Sequence, residues 1–319
     1  MCAHRADVRA VMFGILALGV IAAAPATRAR PHLEAEDRAL DVRAISVAPD
    51  VPPMSDTTRS AVLGVSGNLR AAIGTLLALR GEAALRPLLG DSAIDTPGVH
   101  ALPQPAPDGA PLVVVTMAPF ARGAVGRLHG YRVGAWPSGR RSTTDPRYRA
   151  PAGYIPVTPE NAATAVSKRF RLADFLTHDQ QTVWPKVLVL RSVLLDKLEL
   201  IGDELERSGM PGQLHVMSGF RTPQYNAQGV GRNGGRAGES RHMYGDAADI
   251  FVDADGDGRM DDLDGDGRVN VRDARILFAA AERVEARHPA LVGGLSAYPA
   301  NAAHGPFVHV DVRGTRARW

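Results

Sequence analysis

Three side chains far apart in the sequence have the types that could bind a catalytic metal: His242, Asp249 and His309. His242 and Asp249 stand seven apart across Gly245, a separation that a loop feeding a strand can fold back on. His309 belongs to a later apolar segment, "FVHVDVRG". Two imidazoles and one carboxylate make the ligand set of a catalytic zinc site, whose fourth position is left to water. Such a zinc lowers the pKa of that water and polarises a scissile carbonyl. A second concentration of chemistry follows at once. Eight aspartates lie between Asp253 and Asp273, with glycines at 256, 258, 265 and 267. Carboxylates that dense repel one another, so the run either stays solvated or folds around cations.

Strands must carry these groups. "QLHVMSGF", "AADIFVD" and "PFVHVDVRG" read as strands, with a short helix or turn at "TPQYNAQ" and a helix from about Val271 to His288. "ENAATAVSKRFRLADFLT" and "WPKVLVLRSVLLDKLELIGDELERSG" have helical periodicity. In the second, Val187, Leu190, Leu194, Leu198, Ile201 and Leu205 fall on one stripe, and Gly209 stops the helix. The glycine-rich loop "GVGRNGGRAGES" lacks the lysine-serine pair of a phosphate cradle and reads as a mobile surface loop. The expected fold class is α+β: a small antiparallel sheet with helices at residues 159–319, preceded by a smaller β-containing accessory domain at 30–158. Within that first part, "PLVVVTMAPF" and "RLHGYRVGAWP" read as strands, Ala61–Gly90 as a glycine-interrupted helix, and "APDVPPMSD" and "ALPQPAPDGAP" as linkers.

At the N-terminus, Arg5 and Arg9 precede an apolar run, Ala10–Ala24, closed by small residues. That layout is a signal peptide over residues 1–29, the other reading being an uncleaved anchor. The expected location is secreted or periplasmic, with no membrane span after cleavage. Cys2, the only cysteine, lies inside that segment, so thiol catalysis, disulfides and cysteine-ligated zinc are excluded from the mature chain. A net charge of +3 and pI of 9.2 allow weak attraction to an anionic polymer such as a cell wall. An aromatic content of 5% gives no nucleic-acid stacking surface.

The motifs carry a family resemblance. "SRHMYGDAAD", preceded by "SGFRT" and followed by V-H-V-D near the C-terminus, resembles the M15 zinc D-Ala-D-Ala carboxypeptidases and murein endopeptidases, and the ending "PFVHVDVRGTRARW" is similar to their MepK-like branch. The resemblance runs from about Gln213 to Trp319. It implies zinc on His242, Asp249 and His309, peptidoglycan peptides as partners, and Arg221 beside the scissile carbonyl, where a guanidinium suits a developing oxyanion. Ser240 and Asn226 sit at motif positions that order loops through hydrogen bonds. One departure concerns the general base. Relatives with a glutamate three residues before the last histidine, or a histidine two before it, find Pro306 and Phe307 here. Asp311, two beyond His309 and on the same face of a strand, either takes a proton from the attacking water or orients a histidine. His304 and Tyr244 are weaker candidates.

The acidic run is similar to an EF-hand or dockerin loop. "DLDGDGRVNVRD" places Asp262, Asp264, Asp266, Asn270 and Asp273 at ligand positions, with the Arg268 carbonyl at position seven, before a helix. An overlapping frame uses Asp253, Asp255, Asp257 and Asp261 as a second calcium set, and both frames claim Asp264. Oxygen ligands of this kind select calcium rather than zinc. The expected activity is hydrolysis of peptidoglycan peptide bonds involving D-amino acids, by endopeptidase or D,D-carboxypeptidase action. The competing expectations are a non-catalytic wall-binding module that keeps the zinc, and a calcium-dependent assembly domain.

Overall fold

The computed structural model describes residues 96–101, 113–120, 126–231 and 234–319, with short strands at 42–43 and 65–66. The expected signal peptide lies outside the described residues, as does all of the expected helix at 61–90 except the strand at 65–66. In chain order the strands are β1 (Val42–Arg43), β2 (Val65–Ser66), β3 (Gly98–Ala101), β4 (Val113–Thr116), β5 (Ala118–Pro119), β6 (Gly126–Leu128), β7 (Tyr131–Gly134), β8 (Gly153–Val157), β9 (Lys186–Leu188), β10 (Leu214–Ser218), β11 (Ala247–Val252), β12 (Gly294–Tyr298), β13 (Phe307–Asp311) and β14 (Ala317–Arg318). The helices are α1 (Arg140–Thr144), α2 (Ser192–Arg207), α3 (Pro223–Ala227) and α4 (Val271–Arg287). This is an α+β fold with small sheets.

One five-stranded sheet, ordered β10-β11-β13-β12-β14, carries Asp249 and His309; its pairings are antiparallel except β12 with β14. Alternation along β11 and β13 separates two faces. Ala248, Ile250, Val252, Val308 and Val310 pack into a core with Leu194, Leu198, Ile201 and Leu205 of α2 and Leu277, Ala281 and Val284 of α4. The other face carries Asp249, His309 and Asp311. Register then brings distant residues side by side, because Ser218 pairs with Asp249, Asp249 with His309, and His309 with Ser296. Lys197 of α2 fastens the helices to the sheet: its buried Nζ donates to Glu285 Oε1 (2.6 Å) and to the Asp311 carbonyl (2.8 Å).

Two expected helices differ. Lys186–Leu188 is a buried strand and α2 begins only at Ser192, so Val187 and Leu190 lie ahead of the helix while Leu194, Leu198, Ile201 and Leu205 line its buried face. The N-terminal residue Arg191 makes no side-chain cap, so no capping signal separates strand from helix. The stretch from 160 to 177 is not an α-helix either. A β-bridge joins Ala165 to Arg171, and a single 3-10 turn follows at Leu172–Phe175. The strands on either side of residue 158 share one sheet, β5-β8-β9.

Candidate metal centre

His242 sits in a 3-10 turn, Arg241–Tyr244, that ends in Gly245 with φ 68°. A left-handed residue is required there, and a Cβ would lie 2.4 Å from the Val189 carbonyl oxygen, so only glycine fits. The buried pair Arg241–Asp246 brackets the turn, with Nε 3.0 Å from Oδ1. Residues upstream hold it from outside: Trp136 Nε1 donates to the Met243 carbonyl (2.7 Å), and Arg241 Nη1 donates to the Arg147 carbonyl (2.7 Å). The backbone N–H of Arg221 reaches the His242 carbonyl at 3.2 Å.

The turn delivers His242 onto the Asp249–His309 pair. His242 Nε2 lies 3.2 Å from His309 Nδ1 and 3.3 Å from Asp249 Oδ1, and His309 Nδ1 lies 2.9 Å from Asp249 Oδ1. All three residues are buried. The outward atoms are each taken. His242 Nδ1 is 2.7 Å from the Gly219 carbonyl, which can only accept, so the hydrogen sits on Nδ1 and Nε2 presents a lone pair. His309 Nε2 donates to Asp311 Oδ2 at 3.2 Å, which leaves its Nδ1 lone pair facing inward. Asp249 Oδ2 accepts from Arg221 Nη2, so Oδ1 is the oxygen that faces the histidines.

Three ligand atoms thus converge on one point, each able to offer a lone pair to a cation at the centre. Bonds of about 2.0–2.1 Å in a tetrahedron set ligand atoms about 3.3 Å apart, close to the spacings here. The N2O donor set with hydrogen-bonded outer atoms fits zinc in kind as well. Electrostatics favour positive charge at this point. Burial disfavours ionising Asp249, yet His242 and His309 outweigh it and hold the carboxyl well below the usual range. Burial also works against charging His309, but Asp249 and Asp311 at its two nitrogens raise it, while burial lowers His242.

Arg221 is mostly buried, its Nε donating to Ser218 Oγ at 2.8 Å. Asp311 has no open side: besides His309 it accepts from Arg313 Nε (2.9 Å), the Arg313 N–H (3.0 Å) and the Gly294 N–H (2.8 Å). Although burial would raise it, His309 and Arg313 keep Asp311 far below the normal carboxyl range. Asn226 is buried and donates to the Ala237 carbonyl (3.0 Å), anchoring the glycine-rich loop, whereas the Ser240 side chain makes no cap bond. Tyr244 packs against Tyr148 and Arg241, and His304 is held by Asn301.

The motifs do not reveal Gly219, Arg313 or an aromatic rim. Phe307 stacks on Tyr298 at 4.6 Å, and exposed Trp319 lies 5.3 Å from His309 between ring centroids. Glycine after "S" in "SGFRT" and arginine after "VDV" were the available signals, but neither residue type announces a carbonyl or a clamp.

The aspartates divide into two clusters: oxygens of Asp253, Asp255 and Asp261 lie within 4.8 Å of one another, and so do those of Asp262, Asp264 and Asp273. Asp257, Asp266, Asn270 and Arg268 belong to the surrounding turns, where Asp266 Oδ1 accepts from the Arg268 N–H (2.9 Å) and the Asn270 side chain donates to the Arg268 carbonyl (3.2 Å).

Residues 174–257, which carry part of this site, match a family model of the M15 peptidase type. The model is described as peptidoglycan L,D-endopeptidase MepK. The resemblance carried by the motifs is therefore borne out over a segment that contains Arg221, His242 and Asp249, while His309 lies beyond it. No curated protein and no solved structure matches the chain significantly.

Proposed function

We propose that the protein is a zinc peptidase that hydrolyses peptide bonds involving D-amino acids in peptidoglycan. The observation that carries this reading is the convergence of His242 Nε2, His309 Nδ1 and Asp249 Oδ1, with each outer atom held by Gly219, Asp311 or Arg221. Zinc at these three atoms would activate water and polarise the scissile carbonyl. The chain's own groups do the rest. Arg221 fixes which Asp249 oxygen points inward and brings a guanidinium beside the centre to stabilise developing negative charge. Asp311, saturated with donors, sets the His309 tautomer rather than moving a proton. The aromatic rim of Tyr298, Phe307 and Trp319 flanks His309 as a wall for substrate. Action on the cell wall implies a location outside the cytoplasmic membrane; among the described residues no helix is long and apolar enough to span one.

A second reading has its own support. Pro306 and Phe307 occupy the positions where relatives carry a base, and Phe307 is committed to its stack on Tyr298, so a zinc-bearing module that binds peptidoglycan without cutting it is the alternative. Purified protein loaded with zinc and incubated with cross-linked muropeptides separates the two. Cleavage that disappears in His309→Ala supports the peptidase, and retention of muropeptides without cleavage supports the module.

A further inference from the structure

The acidic run is a nine-residue repeat, "DADGDGRMD" at 253–261 and "DLDGDGRVN" at 262–270, and its two copies fold alike. The glycines match in pairs, Gly256 with Gly265 (φ 77° and 72°) and Gly258 with Gly267 (φ 79° and 80°). So do the turns. Gly258 N–H donates to Asp253 Oδ2 at 3.1 Å as Gly267 N–H donates to Asp262 Oδ2 at 2.7 Å, and Asp257 N–H to Asp255 Oδ1 as Asp266 N–H to Asp264 Oδ1, both 3.1 Å. The copies part company at closure. In the second, the Leu263 N–H is held by Asp273 Oδ1 of α4 (2.8 Å); in the first, the Ala254 N–H is held by Asp261 Oδ2 (2.9 Å). Asp264, claimed by both frames in the sequence, falls in the second cluster alone.

A second, independent observation points to a ligand in the first copy. The Asp253 side chain is only 6% exposed, and its Oδ1 is buried with no hydrogen-bond partner. Its other oxygen already accepts from Gly258 and lies 3.4 Å from His215 Nδ1. A buried carboxylate oxygen left unmatched is costly, and two further carboxylates within reach add to the need for a compensating cation.

We infer that Asp253, Asp255 and Asp261 form a self-contained site for a hard divalent cation of the calcium type, separate from the EF-hand-like set around Asp262, Asp264 and Asp273. All-oxygen ligation in a glycine-hinged loop selects calcium over zinc. This site is fastened to the metal-bearing strand: Asp253 directly follows β11, its N–H donates to the Gln213 carbonyl (3.0 Å), and the Asp261 N–H donates to the Val252 carbonyl (2.9 Å). The ion therefore closes the loop onto the end of the strand that carries Asp249.

Calcium titration of the zinc-loaded protein, followed by calorimetry with bound zinc measured alongside, tests this without reference to peptidase activity. The wild type binds two calcium ions. Asp255→Asn, at an exposed position, and Asp253→Asn each remove one ion and leave the other, whereas Asp264→Asn spares the ion that those variants lose. Unchanged calcium stoichiometry and affinity in Asp255→Asn, or loss of both ions in Asp264→Asn, overturns the inference. Circular dichroism and retained zinc confirm that each variant is folded, and terbium luminescence provides a second readout of the same site.

Discussion

Replacing Asp311 by asparagine distinguishes the two roles open to it. Asp311 is fully buried and accepts from His309 Nε2, from Arg313 and from the Gly294 N–H. An amide leaves the shape and removes the charge, and its NH2 faces donors on one side. Breaking a buried pair costs about 3–5 kcal/mol. Arg313 keeps 22% of its side chain exposed and regains some hydration, so about 3 kcal/mol is expected. At about 2–4 °C per kcal/mol, the metal-free protein should melt roughly 6–12 °C lower. Loss of the bond that sets the His309 tautomer should weaken zinc about 10–100-fold, equivalent to about 1.4–2.7 kcal/mol. Zinc affinity is read by competition with a chromogenic chelator, and turnover on muropeptides is then measured at saturating zinc. A positioning residue predicts weaker zinc and a kcat that recovers to within several-fold once the metal is replenished. Wild-type zinc affinity, combined with a kcat lower by about 100-fold or more at full occupancy, is the signature of a general base and would refute the reasoning.

Other outcomes follow from single contacts. Gly245→Ala puts a methyl against the Val189 carbonyl at a left-handed residue; a loss of at least about 2 kcal/mol and a drop in bound zinc should appear in denaturant melts and metal analysis. Arg221→Lys keeps the charge but not the paired reach to Ser218 and Asp249, so kcat should fall about 10–1000-fold with zinc still bound, as steady-state kinetics on zinc-saturated protein would show. Glu204 joins α2 to Arg283 and Arg287 of α4. Burial would raise its carboxyl, but the arginines hold it below the usual value. Its contribution is therefore present above the unfolded pKa of about 4.3 and lost as pH falls through the lower folded one. Glu204→Gln should cost about 1 kcal/mol at neutral pH and flatten the fall in Tm below about pH 4.5. Trp136→Phe removes the indole donor to Met243 and should cost about 1 kcal/mol, visible as a lower Tm.

The strands bearing the ligands were legible because each couples an apolar alternation to a motif: "AADIFVD" and "FVHVDV" became β11 and β13 with Asp249 and His309 in register. The start of α2 was not. Val187 and Leu190 continue its apolar spacing, and the change from strand to helix falls at Arg191 without a capping side chain. The segment from 160 to 177 had helical spacing and forms turns, its Ala165–Arg171 bridge being a contact that periodicity does not encode. In the acidic run, spacing admitted Asp264 to both frames; the choice of Asp261 as the first loop's closing group depends on a backbone N–H at Ala254. Gly219 and Arg313 escaped because one acts through a carbonyl and the other through a neighbour's charge.

The clasp on the His242 turn has a consequence for how the protein diverges. Trp136 and the Arg147 carbonyl grip Met243 and Arg241 on either side of that histidine, yet both come from a stretch that the family model does not cover. Drift in that stretch has a mechanical route to the His242–Asp249–His309 cluster that leaves all three residues untouched. Two chains with identical motifs and different upstream segments would then differ in how firmly one imidazole is aimed, so the site can be retuned from outside the matched segment.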